Sequence, residues 1–327
     1  VIRRIGVAWL GAIAVIALAA PVIAPNSSRD QFADRAFAPP MRVRLVDADG
    51  LHPPFVYRQV LRDRLMREFD EDTTARVPVR WFANGRVMSI DPAHGPLLIL
   101  GADALGRDIF SRLVLGTRLS MGVALIGVVG ALILGAAIGG LAGSMGGRAE
   151  TLLMLASDFM IALPGAYLVL VLRGALPLVL ATSEVFWLMG GLFAISAWPH
   201  VARGVRAIVA SERRREYAEA ARALGAGPVR LLRHLLPAAR GFLSVEVLLL
   251  VPALLVAEAT ISYLGLGFPE PAASWGTLLQ DAANVNVMVT APWMLAPAAA
   301  LATVVLAIHL AGGAPERALV DFTATRR

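Results

Sequence analysis

The chain has 327 residues, 57% of them hydrophobic, and a mean hydropathy of +0.67, well above a soluble globular domain; it reads as an integral membrane protein. All 30 basic residues are arginine, so no lysine is present to complete a phosphate-binding P-loop, and the absence of cysteine excludes disulfides, thiol nucleophiles and Cys-ligated metals. In such a chain the net charge of +6 reports topology and does not point to nucleic acid.

Arg3 and Arg4 precede an uncharged run from Ile5 to Pro25. That run exceeds the apolar core of a typical signal peptide, so an uncleaved anchor over residues 1–25 is expected, although a start at Val1 leaves the completeness of the N-terminus open. Residues 26–100 then turn polar, with Pro39-Pro40, Pro53-Pro54 and a charged stretch from Arg58 to Arg80. This segment reads as a small aqueous insertion. Within it Val60, Leu61, Leu65 and Phe69 recur near helical spacing, while Val77 to Val87 alternates as a hairpin about Asn84-Gly85.

Further uncharged or nearly uncharged runs predict spans at 120–142, 152–172, 185–202, 241–263 and 292–312, making six with the anchor. Membrane β-strands would instead alternate in units of about ten residues, so the expected fold is all-α and polytopic. The run at 120–142 is rich in Gly and Ala, which let helices approach closely. Residues 101–315 form the expected five-helix core and 316–327 a tail. With the N-terminus inside, Arg148, the nine arginines from Arg203 to Arg240, and Arg317, Arg326 and Arg327 all fall on the cytoplasmic side, whereas the short outer loops hold Arg173. The positive-inside rule favours that orientation and places the 26–100 insertion outside.

The arginine-rich island at 211–237 reads as two short helices separated by Gly225 to Pro228. Gly225 suits a left-handed helix cap and Pro228 a first helical turn. Tyr217, Ala220, Ala221 and Leu224 share one small apolar stripe. Such a helix either lies on anionic lipid or docks closely against another protein; alanines make a poor lipid-inserting face and a good contact surface.

Glu219-Ala220-Ala221, three further residues, Gly225, and then Leu236-Pro237 resemble the coupling (EAA) loop of ABC importer permeases. The interval from Gly225 to Leu236-Pro237 is one residue shorter than the family pattern, a departure that bears on the second helix. Two more segments are similar to the dipeptide, oligopeptide and nickel (DppC/OppC-like) branch. The first runs from Leu100 to Ser120 and contains Gly101, Asp103, Gly106, Arg107, Asp108, Ser111 and Arg112, with Ala102 where the branch has Thr; the second comprises Ala257 to Gly267 with Ser274-Trp275-Gly276. The resemblance covers about residues 97–312. It implies a six-helix type I (MetI-like) importer permease in the bacterial inner membrane, with both termini cytoplasmic. It also implies a second homologous permease, two ATPase subunits that bind ATP and Mg, and an extracytoplasmic solute-binding protein. No cofactor, metal or catalytic residue is then expected in this chain. Tyr217, Glu219, Ala220, Ala221, Leu224 and Gly225 would meet the ATPase subunit. Peptides are the default cargo of the branch, with nickel or other peptide-like solutes as alternatives; the long insertion tilts toward larger oligopeptides or a modified contact with the binding protein.

Asp103, Arg107, Asp108 and Arg112 stand at spacings that allow ion pairing along a helical turn, either as exposed pairs at the outer surface or as a contact with the binding protein. Gly265 and Gly267 permit a tight turn after the fifth span. Asp158, Glu246, Glu258 and His309 lie in or near spans, where ionisable groups mark a pathway or a structural pair. Pro164 and Pro252 read as packing kinks. Asp158 and Glu246 carry the rival reading, an ion-coupled secondary transporter, which would show an internal repeat that this sequence lacks. A membrane-embedded enzyme is disfavoured by the absence of His-Glu-x-x-His and Gly-x-Ser-x-Gly motifs.

Overall fold

In the computed structural model of the chain the described residues are 2–64, 67–163, 167, 171, 174 and 180–312. They fall into two compact units, one of residues 1–121 with 259–307 and one of 122–258 with 308–327.

The first unit begins with helix α1, Ile2–Ile23. The insertion that follows is β-structure: β1 (Arg44–Asp47), β2 (Gly50–Asp63) and β3 (Glu68–Pro78) form an antiparallel sheet in the order β1-β2-β3. The expected helix through Val60, Leu61 and Phe69 is therefore corrected, and Leu65 lies outside the described residues. Leu61 pairs with Phe69 across the sheet. From Tyr57 to Arg62 burial alternates with period two, Tyr57 and Gln59 inward, Arg58, Val60 and Arg62 outward, the signature of a half-buried strand. Val56, Val77, Val79, Ile90, Leu97 and Leu98 close a small core beneath the sheet. The Asn84-Gly85 hairpin is present and short: β4 (Arg80–Trp81) pairs with β5 (Met88–Ser89), and Asn84 and Gly85 both adopt positive φ. The all-α expectation holds for the membrane-length elements, and the insertion, where one helix and a hairpin were expected, is built of strands throughout its sheet.

Helix α2, Ile109–Met145, starts in the first unit. After α7 (Arg240–Tyr263) a tight turn at Gly265, φ +79°, leads to α8 (Trp275–Asp281), α9 (Val285–Thr290) and α10 (Ala296–Gly312). Gly267 meets Ser262 so closely that a Cβ would lie 2.0 Å from its Oγ. Ser274 caps α8, accepting from the Thr277 N–H, and the Trp275 indole donates to the Leu113 carbonyl at 3.2 Å.

In the second unit the remainder of α2 is joined by α3 (Gly147–Ala162), α4 (Thr182–Glu212), α5 (Glu216–Ala223), α6 (Pro228–Leu235) and most of α7. The glycine-rich face of α2 is its contact with α4. A Cβ added at Gly127 would meet Phe193, at Gly130 Ala194, at Gly135 Val201, at Gly139 the Ala202 carbonyl, and at Gly143 Val209. Both series ascend, so α2 and α4 run parallel. Helix α3 runs against α4, with Glu150 beside Arg206, Asp158 beside Arg203 and the Ser157 hydroxyl donating to the Pro199 carbonyl. At Gly139 the added atom would sit 2.2 Å from a backbone oxygen, which no rotamer change relieves. Gly139→Leu is expected to lower the melting temperature of the purified protein by an overpacking cost of at least about 1–3 kcal/mol. Gly191→Ala, where nothing lies within 4 Å of the added carbon, should leave it unchanged or raised.

Among the described residues five helices are long and apolar enough to cross a membrane: Ile2–Ile23, Ile109–Met145, Thr182–Glu212, Val229–Tyr263 and Pro292–Gly312. The remaining expected span, 152–172, begins as α3, and most of its continuation, including Pro164, lies outside the described residues, as do Arg173 and the 316–327 tail. Pro252 lies inside α7.

Candidate functional site

Two clusters gather the residues singled out by sequence, one in each unit. In the second unit the 211–237 loop folds as two short helices. Leu224 ends α5, and Gly225, φ +83°, closes a Schellman cap in which the Gly225 N–H donates to the Arg222 carbonyl and the Ala226 N–H to the Ala221 carbonyl. A residue with a Cβ would strain that φ, which is why glycine stands there. Pro228 opens α6, where a missing N–H leaves no helical bond unmade.

Packing divides α5 by face. Ala218 is fully buried against Val205, Val209, Leu231 and Leu235, and Ala221 packs partly against the same group. Leu231, Leu235 and Ala239, four residues apart, supply the matching face of the second helix and the turn that follows it. Tyr217, Glu219, Ala220, Leu224 and Gly225 point outward, with Leu224 87% exposed. The Tyr217 hydroxyl donates to Glu212 at 2.9 Å, and Arg222 donates to the Arg213 carbonyl at 3.0 Å, fixing α5 to the end of α4. Sequence reasoning found the outward stripe and missed Ala218. On a helical wheel Ala221 sits at the edge of the stripe and Ala218 lies about 60° beyond it, roughly 100° or more from Tyr217 and Leu224, and that was the available signal.

In the first unit the charged motif is a buried knot, and the expected exposed helical turn is corrected. Residues 101–108 form a tight loop: the Gly106 N–H donates to the Asp103 carbonyl, the Asp103 N–H to the Arg107 carbonyl, and α2 begins only at Ile109. Gly101 (φ +73°) and Gly106 (φ +74°) make the loop possible, the latter because a Cβ would fall 2.0 Å from the Phe32 carbonyl oxygen. Asp103, 1% exposed, accepts four hydrogen bonds. Its Oδ1 takes the Leu105 and Arg107 N–H groups, each at 2.9 Å, and its Oδ2 takes Arg107 Nε at 2.7 Å and Arg112 Nη1 at 2.5 Å. Arg107 then reaches Glu270 and Asp281, and Arg112 donates to Asp281 at 2.8 Å. Burial pulls the Arg107 guanidinium down, but Asp103, Glu270 and Asp281 together hold it above its ordinary value. Burial pushes the Asp281 carboxyl up, with Arg112 and Arg107 opposing. Beside the knot lies a cleft of about 390 Å³ lined by Gln31, Leu105, Pro271 and the charged groups Asp103, Arg107, Glu270 and Asp281.

Asp108 stands apart from the arginines. It accepts from the Ser111 hydroxyl and N–H, the Phe110 N–H and, at 2.9 Å, the Asn26 side chain. The Asn26 N–H in turn donates to Ser111 Oγ at 2.9 Å, so the segment after α1 is fastened to the start of α2. Burial drives the Asp108 carboxyl up to about 6 against those hydrogen bonds. Because the folded-state value lies above the unfolded one, the stability Asp108 contributes is fully present below about pH 4 and is lost as pH rises through about 6. The stability of the native protein relative to Asp108→Asn, read from thermal unfolding at each pH, is expected to rise as pH falls from 7 to 4, by on the order of 3 kcal/mol; a difference independent of pH would contradict this.

The knot's partners Asn26, Glu270 and Asp281 were not singled out from sequence. Two Asp and two Arg within ten residues balance in charge on paper, so nothing called for acids more than 160 residues away. The ionisable residues of the spans separate. Asp158 pairs with Arg203 at 2.5 Å, each about half exposed; Glu246 is half-buried; Glu258 is fully buried; His309 is exposed.

Residues 135–314 match the family of binding-protein-dependent transport system inner membrane components. The chain is 37% identical over 196 residues to the oligopeptide transport system permease protein OppC of Bacillus subtilis, an alignment covering 60% of this chain and 62% of that one. It is 38% identical over 215 residues to a putative peptide permease protein of Brucella ovis, covering 65% and 69% respectively. Against the nickel transport system permease protein NikC of Escherichia coli it is 36% identical over 230 residues, covering 70% and 79%. The chain thus spans somewhat under two thirds of the Bacillus subtilis relative.

Proposed function

Since the chain belongs to the family of binding-protein-dependent transport system inner membrane components, we propose that it lines, together with a second homologous permease, the path of an ATP-driven importer for oligopeptides or dipeptides. The observation that carries the reading is the α5–α6 loop. A short helix is clamped to the fold through Ala218 while Tyr217, Glu219, Ala220 and Leu224 stay exposed, the arrangement needed to take force from another protein. Two ATPase subunits would hold ATP and Mg and push on this loop at 211–237. An extracytoplasmic solute-binding protein would deliver cargo on the other side, and no bond in the cargo need break. Alternating access then follows from helices moving as rigid bodies at the interface between permeases.

The chain is a multi-pass membrane protein, and we assign it to the bacterial inner membrane with both termini cytoplasmic. Residues 1–25 are the anchor, 26–100 the extracytoplasmic insertion, 101–315 the core and 316–327 a cytoplasmic tail. Six spans are supported by direction as well as by hydropathy. Helices α2 and α4 are parallel and α3 runs against α4, the direction a returning span at 152–172 would have.

The Arg203 partner of Asp158 counts against an ion-coupled carrier, because a carboxylate already paired with a guanidinium is a poor proton or sodium shuttle. Reconstituted in proteoliposomes with its partner subunits, the protein is expected to accumulate peptide only with ATP and binding protein present. Uptake driven by a proton or sodium gradient with this chain alone would refute the proposal. The Escherichia coli relative's name sets nickel beside peptides as cargo, and ligand identification on the binding protein separates them.

A further inference from the structure

We propose that the β4–β5 hairpin is a lipid anchor, with Trp81 and Phe82 set into the headgroup layer of the bilayer at the C-terminal end of α1. The hairpin is fixed to that helix end. Its Val87 N–H donates at 2.7 Å to the carbonyl of Val22 in the last turn of α1, and the Arg86 guanidinium donates to the Pro25 carbonyl just beyond. The depth of the helix end therefore sets the depth of the hairpin. At 1.5 Å per residue the 22 residues of α1 extend about 33 Å, matching a hydrocarbon core of about 30 Å, so both lie at the lipid–water boundary.

Exposure and conformation point the same way. Trp81 is 50% and Phe82 79% exposed, although Val79 and Ile90, on either side of the hairpin, are buried in the core of the insertion. Phe82 also sits at φ +53°, a conformation that bulky residues rarely adopt and that Asn or Gly would occupy with less strain. At 79% exposure its ring packs little against the described residues. A bilayer interface favours Trp, and interfacial segments set Phe beside arginine; here Arg80, which also pairs with Asp91, and Arg86 flank the two rings. The lipid-facing character is continuous with α1, whose Leu18 and Val22 are 81% and 44% exposed.

The inference rests on α1 crossing the membrane, and the experiment reads that separately. Because the native chain has no cysteine, a single Leu18→Cys, Trp81→Cys, Phe82→Cys or Asp70→Cys is a unique attachment point for an environment-sensitive fluorophore. The labelled proteins are placed as full chains with their partner subunits in nanodiscs of phosphatidylethanolamine and phosphatidylglycerol. Labels at positions 81 and 82 are expected to emit blue-shifted, to be quenched by nitroxide lipids labelled near the headgroup, and to resist aqueous iodide several-fold better than the label at 70. The label at 18 should be quenched by nitroxides deep in the acyl chains. Iodide access at 81 and 82 equal to that at 70, with 18 still deep, overturns the anchor and leaves the span intact. Aqueous exposure at 18 overturns the span and the anchor with it. Shielding at 81 and 82 that develops only when the solute-binding protein is added assigns the hairpin to that protein and also overturns the anchor.

Discussion

An Asp103→Ala chain is expected to lose about 3–5 kcal/mol of stability, enough to prevent accumulation of folded protein in the membrane. The magnitude follows from what the substitution leaves behind. Asp103 contacts both Arg107, in its own loop, and Arg112, in the first turn of α2, and those residues are 3% and 0% exposed. Without it Arg107 keeps Glu270 and Asp281, and Arg112 keeps Asp281, but these come from residues after α7 and reach the solvent side, Glu270 being more than half exposed. Two buried guanidinium groups would then share Asp281 and the rim carboxylate Glu270, and the donors that faced Asp103 would be left in a vacated site without an acceptor. The backbone suffers as well, because the Leu105 and Arg107 N–H groups lose their acceptor in a loop held open by two glycines at positive φ. Asp103→Asn should not rescue, since its amide would aim donors at one or other pair of donors. The measurement is the melting temperature and yield of the purified permease. Glu270→Gln, at an exposed rim position, should change either one little. Equal loss in both variants would show that the knot is a surface network after all.

The same knot marks where the sequence could and could not be read. Spans were legible because uncharged runs of membrane length have few alternative uses, and the loop between α5 and α6 was legible because Gly225 and Pro228 have narrow backbone roles. Both signals are local. The β2–β3 pair was missed because Val60, Leu61 and Phe69 fit a helix by spacing, and only pairing of Leu61 with Phe69 across a turn decides for a strand. The burial of Arg107 and Arg112 was missed for a related reason. Their counter-charges Glu270 and Asp281 arrive from the far end of the chain, and local charge balance made an exposed set of ion pairs sufficient.

Replacing Leu224 with Asp is expected to abolish ATP-driven uptake while leaving the fold of the permease unchanged. The argument turns on which face of α5 each residue occupies. A bulky residue at Ala221 would strike both the proposed ATPase subunit and the cluster of Val205, Leu231 and Leu235, so a loss of transport there would mix docking with folding. Leu224 avoids that ambiguity: at 87% exposure it contributes almost nothing to the core, and Asp there should shift stability by no more than about 0.5 kcal/mol. If the loop docks in a groove of the ATPase subunit, burying this side chain is worth about 1.5–3 kcal/mol, and its replacement by a carboxylate weakens assembly by at least about ten- to a hundred-fold. The readout is co-purification of the ATPase subunits together with uptake in proteoliposomes. Ala218→Leu supplies the opposite pattern, a lowered melting temperature, because it adds three carbons to a fully buried position packed against Val205, Val209, Leu231 and Leu235. Undiminished uptake by Leu224→Asp would mean that α5 transmits no force through this face.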